Sequence, residues 1–168
     1  MSRRIIESVP EPLSDPEISV FLNRHIQYRL KLLQLARCVS PASGLVDSAM
    51  VEAGLIACRQ MMQFLGLGIT FQGGLKLEPD NKYYTFKKDG AVFTDEVKVF
   101  DVGGQYVKIA DILLNDQIVL VSVFNAASKA TAHMTDGSEL TVNPQFFDRA
   151  CLLIQELTVA SIPAYQQA

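Results

Sequence analysis

Three polar side chains, Asn125, Lys129 and His133, recur every four residues in an otherwise apolar segment. At about 100° per residue, this spacing places them on one side of a helix. The dipole at a helix C-terminus favours the imidazolium form, so His133 is suited to act as a general acid or base. The same pattern is typical of a polar seam or a capping histidine, and both interpretations remain open.

Four more polar residues are candidates for binding a ligand. His25 and Arg29 are four residues apart in one predicted helix, while Glu52 and Arg59 share a narrow polar stripe with Gln63 in the next. Such a stripe faces either water through a gap between helices or a polar stripe on a neighbouring helix. Opposite charges within it are also typical of a structural ion pair.

The sequence has no pattern typical of a metal or cofactor site. Neither histidine belongs to a Glu-x-x-His pair, which a di-iron bundle requires. Cys38, Cys58 and Cys151 are widely spaced without a CxxC, so we expect reduced thiols, with Cys58 as a small core residue. The glycines at positions 66, 68, 73 and 74 follow no clear strand, which argues against a phosphate-binding loop. We therefore predict no metal and no cofactor.

Composition limits the class of protein. With 168 residues, 49% hydrophobic and 20% charged, the chain is expected to form one globular domain. The net charge of −3 disfavours strong nonspecific binding of nucleic acid, which needs a basic surface. Every apolar run is interrupted before the roughly 18 residues that span a bilayer, and no apolar signal segment follows Met1. We predict a cytoplasmic protein without membrane contact.

The candidate residues must be positioned by helices, and the longest is predicted from Asp47 to Leu67. Ala, Met, Leu, Glu and Gln dominate this stretch, and its apolar residues occur almost all the way round. A helix of this kind must be enclosed by others. We therefore predict that it forms the centre of the fold.

Three other long helices are predicted to surround it. The first runs from about Pro16 to Arg37, with Asp15 as its N-cap. The others run from Asp116 to Met134 and from Pro144 to about Ser161, the latter capped by Asn143. The inward residues are expected to be Ile18, Phe21, Leu22, Ile26, Leu30 and Leu33 in the first, and Phe146, Phe147, Ala150, Leu153, Ile154 and Leu157 in the last.

The predicted fold class is all-α, an antiparallel four-helix bundle with an irregular excursion at about 66–104 between the second and third long helices. The excursion contains a short hairpin around Lys88, Asp89 and Gly90, and a short helix from Thr94 that the glycines at 103 and 104 end. Residues 1–14 are predicted to be a flexible lead-in, 15–162 the single domain, and 163–168 a C-terminal tail.

Three stretches, VEAGLIACRQMMQFLGL, TDEVKVFD and VFNAASKATAHMT, resemble the ordered signature of a bacterial group of uncharacterised all-helical proteins. The helices of that group are similar to the HEPN fold, and the resemblance covers about Val51 to Thr135. It implies a helical bundle, often dimeric, in a class that includes many metal-independent endoribonucleases of toxin–antitoxin and phage-defence systems.

The catalytic motif of that class is an Arg followed, four to six residues later, by a His. Carried over, the His falls on His133, but no Arg matches, because Lys129 and Asn125 precede it. Lysine lacks the planar, bidentate grip of arginine on phosphate. We therefore expect a non-catalytic module that forms a homodimer or binds a protein partner. The alternative is a ribonuclease acting on RNA, with His133 as acid or base, Lys129 stabilising charge and Asn125 orienting the phosphate.

Overall fold

The computed structural model of the chain is predominantly helical, as the sequence predicts. It describes residues 4–5, 13–39, 44–69, 73–77, 84–88, 91–94, 97–132 and 142–166. Its α-helices within these ranges are α1 (Asp15–Phe21), α2 (Gln27–Arg37), α3 (Leu45–Phe64), α4 (Leu114–Ala132), α5 (Pro144–Ser161) and α6 (Pro163–Gln166). No helix in this part of the chain is both long enough and apolar enough to cross a membrane.

The helix α3 is the centre of the fold, and it packs against α2, α4 and α5. This confirms the prediction that the longest apolar helix is enclosed by others. Its fully buried side chains include Leu55, Met61 and Met62, which meet buried residues of the surrounding helices. The inward faces predicted for the first and last long helices are also buried or partly buried.

The predicted end of α3 at Leu67 is wrong. The helix ends at Phe64, Gly66 takes a positive φ of 81°, and Leu67 enters a strand. A glycine in the left-handed region is a common helix terminator because it has no Cβ to clash with the backbone. At the other end the helix begins at Leu45 rather than Asp47.

A π-helical turn, Leu22–Ile26, joins α1 to α2, so that Asp15–Phe21, this turn and Gln27–Arg37 make one continuous helix, called the first helix below. In this turn the Gln27 N–H donates to the Leu22 carbonyl, five residues back. The Tyr165 hydroxyl of α6 donates to the same carbonyl at 3.3 Å. Burial raises the pKa of Tyr165.

The predicted N-cap of the first helix, Asp15, is wrong by one residue, because Ser14 holds that position. The Glu17 carboxylate accepts hydrogen bonds from the Ser14 backbone N–H at 2.9 Å and from its hydroxyl at 2.6 Å. A glutamate three residues after the N-cap commonly reaches back in this way. Asp15 adds a second negative charge to the first turn, where the helix dipole favours it.

In the part of the chain that the structure describes, five short strands form two antiparallel sheets. The strands are β1 (Arg4–Ile5), β2 (Leu67–Ile69), β3 (Leu75–Leu77), β4 (Tyr84–Lys88) and β5 (Ala91–Thr94), in the orders β1-β4-β5 and β2-β3. The predicted hairpin is confirmed as β4–β5, in which Lys88 lies opposite Ala91; residues 89 and 90 lie outside the described residues. The strands β1, β2 and β3 were not predicted. The strand β1 lies in the segment predicted as a flexible lead-in, residues 1–14, and most residues of that segment lie outside the described residues.

The predicted short helix after Thr94 is also displaced. Thr94 ends β5, and a single helical turn spans Val99–Val102 instead. The Lys98 backbone N–H donates to the Asp101 carboxylate at 2.7 Å, which caps this turn. Gly103, with φ 77°, ends it as predicted.

Two ion pairs connect α5 to the other helices. Arg149 donates from Nε and Nη2 to the two Asp116 carboxylate oxygens of α4 at 2.9 and 2.7 Å. Arg37 of α2 donates to Asp148 at 2.6 Å.

Two predicted boundaries near the C-terminal half differ from the structure. The helix α4 begins at Leu114, two residues before the predicted start at Asp116. The predicted tail, 163–168, begins with the helix α6.

Two close contacts hold α3 against its neighbours. A Cβ placed on Gly54 would lie 2.5 Å from the Cβ of Ala36 and 2.8 Å from the ring of Phe147, so the helices approach at a position only glycine fits. Nearby, the buried Sγ atoms of Cys58 and Cys151 are 3.7 Å apart. The contact with Cys151 and burial both raise the pKa of Cys58.

Candidate functional site

A cleft with an inner and an outer lobe lies along the first helix. The inner lobe, about 380 Å³, lies between this helix and α3 and is lined by Phe21, Ile26, Arg29, Gln60, Met61, Gln63, Phe64 and Val97. The outer lobe, also about 380 Å³, is lined by Leu13, Pro16, Glu17, Val20, Phe21, His25 and Val97. Phe21 and Val97 line both lobes. Each lobe is within the usual range of about 300–1,000 Å³ for ligand pockets.

The polar end of the inner lobe is organised around Arg29. Its Nε donates to the Gln60 side-chain oxygen at 2.9 Å, and its Nη1 donates to the His25 carbonyl at 3.0 Å. Two hydrogen bonds in different directions fix the plane of the guanidinium.

Aromatic rings separate the inner from the outer lobe. The Phe21 ring lies 5.2 Å from the His25 ring and 6.0 Å from the Phe64 ring, centroid to centroid. Both pairs are tilted and at distances typical of favourable aromatic contacts. Since Phe21 precedes the π turn and His25 lies within it, the turn sets how these two rings meet.

Lys98 directly follows Val97, which lines both lobes. Lys98 is buried, and its Nζ donates to the Gln63 carbonyl at 3.2 Å. That carbonyl lies in the last turn of α3, where the helix dipole favours a positive charge. The contact holds the neighbouring Val97 in the lining of both lobes.

The charge of the first helix differs from that of the whole chain. Positions 18 to 46 contain no Asp or Glu but include Arg24, Arg29, Lys31 and Arg37, whereas the net charge is −3. Arg24 and Lys31 are exposed, and Arg37 is paired with Asp148. The first helix is therefore locally basic, although among these four residues only Arg29 lines the cleft. Glu17, the carboxylate among the described lining residues of the cleft, is bonded to Ser14.

The structure divides the four predicted binding residues between two places. Arg29 lines the inner lobe and His25 lines the outer lobe. Arg59 instead stacks over the Phe124 ring of α4, with its guanidinium carbon 5.3 Å from the ring centroid. Glu52 is exposed on α3, two turns before Arg59. The cleft therefore does not bring the four together.

The predicted catalytic set is only partly within the described residues. Asn125 and Lys129 are exposed on α4, one turn apart, as their spacing predicts. His133 lies outside the described residues. Among the described residues, no group of three or more His, Cys, Asp or Glu side chains could hold a metal ion.

Several residues of the cleft were not singled out from the sequence, chiefly Gln60, Phe64 and Val97. At about 100° per residue, Gln60 lies to one side of the polar stripe formed by Glu52, Arg59 and Gln63, yet it is the residue that bonds Arg29. The run without acids at positions 18 to 46 was a signal that a basic surface lay on the first helix. Val97 could not be found in this way, because it reaches the cleft only through long-range packing.

A separate apolar patch lies at the start of α4. Leu113, Leu114 and Ile118 are 73%, 72% and 53% exposed, and we call them the leucine patch. Leu114 and Ile118 are one helical turn apart, and Leu113 directly precedes them. Single exposed apolar residues are ordinary, whereas large contiguous apolar patches mark interaction sites. Lys108 and Asp111, both exposed, precede the patch in the chain.

Comparison of the chain with protein-family models, with curated proteins and with solved structures finds no match in any of the three.

Proposed function

We propose that this chain is a non-catalytic binding module that self-associates as a homodimer, built on an antiparallel, HEPN-like four-helix bundle. The first helix, α3, α4 and α5 are the four helices of that bundle, and the packing of α3 against α2, α4 and α5 supports it. The HEPN-like part of the proposal rests on the three sequence stretches that resemble that group. The free thiols of the three cysteines support the cytoplasmic location proposed with it.

The leucine patch is the observation that most favours self-association. Three neighbouring apolar side chains, each more than half exposed, cost free energy in water that a partner surface would recover. A homodimer with two-fold symmetry uses the same patch on both copies. The small net charge of −3 opposes such an approach only weakly.

Charges beside the leucine patch favour a second copy of this chain as the occupant. Each copy presents one base, Lys108, and one acid, Asp111, three residues apart. In an antiparallel, two-fold arrangement, the base of one protomer faces the acid of the other, so the surface is complementary to itself. A partner of one charge sign would match only one of these residues.

The content of the cleft favours binding over catalysis. Its described lining has one guanidinium, one imidazole, two amides and one carboxylate, and no hydroxyl or thiol nucleophile. The imidazole of His25 contacts the Phe21 ring rather than a carboxylate that would orient it as a base. These groups suit recognition of a ligand.

The test is the oligomeric state of the purified chain, measured by sedimentation velocity over a range of concentrations. We expect a reversible dimer, and we expect Leu114→Gln to weaken it by roughly tenfold or more, because truncating a central apolar contact commonly costs more than about 1.4 kcal/mol. Val46→Gln is the matched control, since Val46 is an apolar side chain with 78% exposure outside the patch. It should leave the dimer unchanged.

A charge exchange distinguishes the proposed pairing from unspecific association. Lys108→Glu should weaken the dimer because two acids then face each other, and adding Asp111→Lys to it should restore the affinity. A chain that remains monomeric at its highest soluble concentration would refute self-association. A dimer that Leu114→Gln leaves intact would refute the leucine patch as its interface.

The ribonuclease alternative is supported by one observation, the exposure of Asn125 and Lys129 on the same side of α4. Its test is cleavage of total RNA in EDTA by the wild type and by a folded His133→Ala variant. Cleavage that the variant loses would establish a metal-independent ribonuclease with His133 in the reaction. No cleavage by the wild type would leave the binding module as the better proposal.

A further inference from the structure

We propose that the inner lobe alone binds a compact aromatic carboxylate, such as benzoate, with its carboxylate on Arg29 and its ring against Phe21 and Val97. All three residues line this one lobe, so the whole ligand lies within a single cavity of about 380 Å³. The residues of the leucine patch do not line it, so the proposal is independent of self-association.

The carboxylate end of the site is Arg29, the one charged side chain among the described residues that line the inner lobe. Its bonds to the Gln60 side chain and to the His25 carbonyl fix the guanidinium plane before a ligand binds. A fixed guanidinium loses little conformational freedom when an anion binds, which favours affinity. Parallel N–H groups of a guanidinium also match the two oxygens of a carboxylate.

The amide of Gln60 adds a second kind of donor at the same end of the lobe. A guanidinium can only donate, so the atom of Gln60 that bonds Arg29 must be the amide oxygen, and the other end of the amide is its NH2 group. Neither the guanidinium nor this NH2 group can accept a hydrogen bond. The two side chains therefore favour a ligand that brings acceptor oxygens, as a carboxylate does.

The burial of the lining residues shows where the lobe opens to water. Gln60 is exposed and Arg29 and Gln63 are partly exposed, whereas Ile26 and Met61 are 1% and 0% exposed. The opening is therefore at the polar end, beside Arg29. A carboxylate bound there stays near water and loses less of its hydration than a charge placed among the buried residues would.

The ring of the ligand packs on Phe21 and Val97, which line the same lobe and are both partly exposed. Covering their remaining apolar surface is favourable in proportion to the area removed from water. The Phe21 ring is tilted against the Phe64 ring with centroids 6.0 Å apart, and a third ring adds an aromatic contact of the same kind. An aromatic body therefore gains a contact that an aliphatic body of equal size does not.

The experiment is isothermal titration of the full chain with benzoate, benzamide and acetate, in a buffer without phosphate or other carboxylates. Benzamide has the ring and the shape without the charge, and acetate has the charge without the ring. We expect benzoate to bind more tightly than either. Arg29→Gln should weaken benzoate binding by roughly tenfold or more, since hydrogen bonds to charged groups are of that strength, and should change benzamide binding much less. Val97→Ser should weaken benzoate and benzamide by similar factors.

Arg24→Gln is the matched control, because it removes the same charge from an exposed position of the same helix that lines neither lobe. It should change benzoate binding by less than about twofold, the effect of a screened surface charge. Equal effects of Arg29→Gln and Arg24→Gln, or no benzoate binding by the wild type, would overturn the proposal. Acetate or cyclohexanecarboxylate that binds as tightly as benzoate would overturn the assignment of an aromatic ligand.

Gln60→Glu keeps the test decisive if Arg29→Gln disturbs the fold. A carboxylate at position 60 can accept the same bond from Arg29, but it offsets the positive charge and repels an anionic ligand. This variant should therefore weaken benzoate binding and spare benzamide binding. Equal loss of both, in a variant whose circular dichroism and melting temperature match those of the wild type, would overturn the role assigned to Arg29.

Discussion

Replacing Gly54 by alanine is expected to destabilise the fold, although alanine is the better helix former. In an exposed helix interior the change would gain about 1 kcal/mol. Here the new Cβ would lie 2.5 Å from the Cβ of Ala36 and 2.8 Å from the ring of Phe147. Carbon atoms at optimal separation are roughly 3.5–4.0 Å apart, so α2 and α3 must separate by on the order of 1 Å.

The size of the effect follows from which atoms can move. The Cβ of Ala36 is attached directly to the backbone and has no rotamer to change, whereas the Phe147 ring can turn slightly. Overpacking costs about 1–3 kcal/mol. Because the Ala36 Cβ cannot move aside, we expect a cost at the upper end of this range, about 2–3 kcal/mol, which exceeds the gain of about 1 kcal/mol in helix propensity. We expect Gly54→Ala to lower the free energy of unfolding by about 1–2 kcal/mol, and the melting temperature by roughly 2–8 °C.

Urea denaturation followed by circular dichroism measures this directly, and a second substitution isolates the contact. Ala36→Gly removes the nearest atom at the cost of about 1 kcal/mol of helix propensity. The double variant should be more stable than the sum of the single effects predicts, by about 1 kcal/mol. A Gly54→Ala variant as stable as the wild type, or an additive double variant, would refute the close approach of α2 and α3.

Two further predictions concern titration and reactivity. The hydrogen bonds from Arg149 lower the pKa of Asp116 in the folded state, so this pair stabilises the fold above the unfolded value near 3.8 and the contribution is lost as pH falls through the folded value. Asp116→Asn should therefore reduce stability by about 1 kcal/mol at pH 7 and by progressively less as pH falls below the unfolded value and through the lower folded one. A urea-measured difference that does not change with pH would contradict this. In the native protein we expect a thiol reagent to modify Cys38 alone, because Cys58 and Cys151 are buried and the pKa of Cys58 is raised. The two buried thiols should react only after unfolding. Mass spectrometry counts the modified thiols, and three modified thiols in the native state would disprove this prediction.

Long helices could be predicted because their apolar periodicity is a local signal. The stretch around Leu55, Met61 and Met62 is apolar on nearly every side, and it is the centre of the fold. The predicted ends of the helices were less accurate. Ser14 and Asp15 are both good N-cap residues, and the choice depends on Glu17, which lies three residues after Ser14 and accepts its hydrogen bonds. The end of α3 depended on the conformation of Gly66, which the sequence permits but does not require.

The cleft was less predictable because it depends on contacts between distant segments. Arg29 and Gln60 are 31 residues apart, and no spacing rule connects them. Arg59 was grouped with Glu52 by its angle on α3, but its stacking on Phe124 depends on how α4 packs. The short strands β2 and β3 were missed since three residues each carry too little periodicity to identify.

The π turn also has a genetic consequence. It accommodates one residue more than an α-helical turn would, so deleting a single codon within positions 22 to 26 could restore ordinary helix geometry. Because the π turn already absorbs the additional residue, the segments on either side of the deletion would keep their orientation, so that Phe21 before it and Leu33 after it keep their places. A single in-frame deletion or insertion at this point could therefore distinguish related genes by the presence of the turn, and with it the position of His25, while the rest of the fold stays the same.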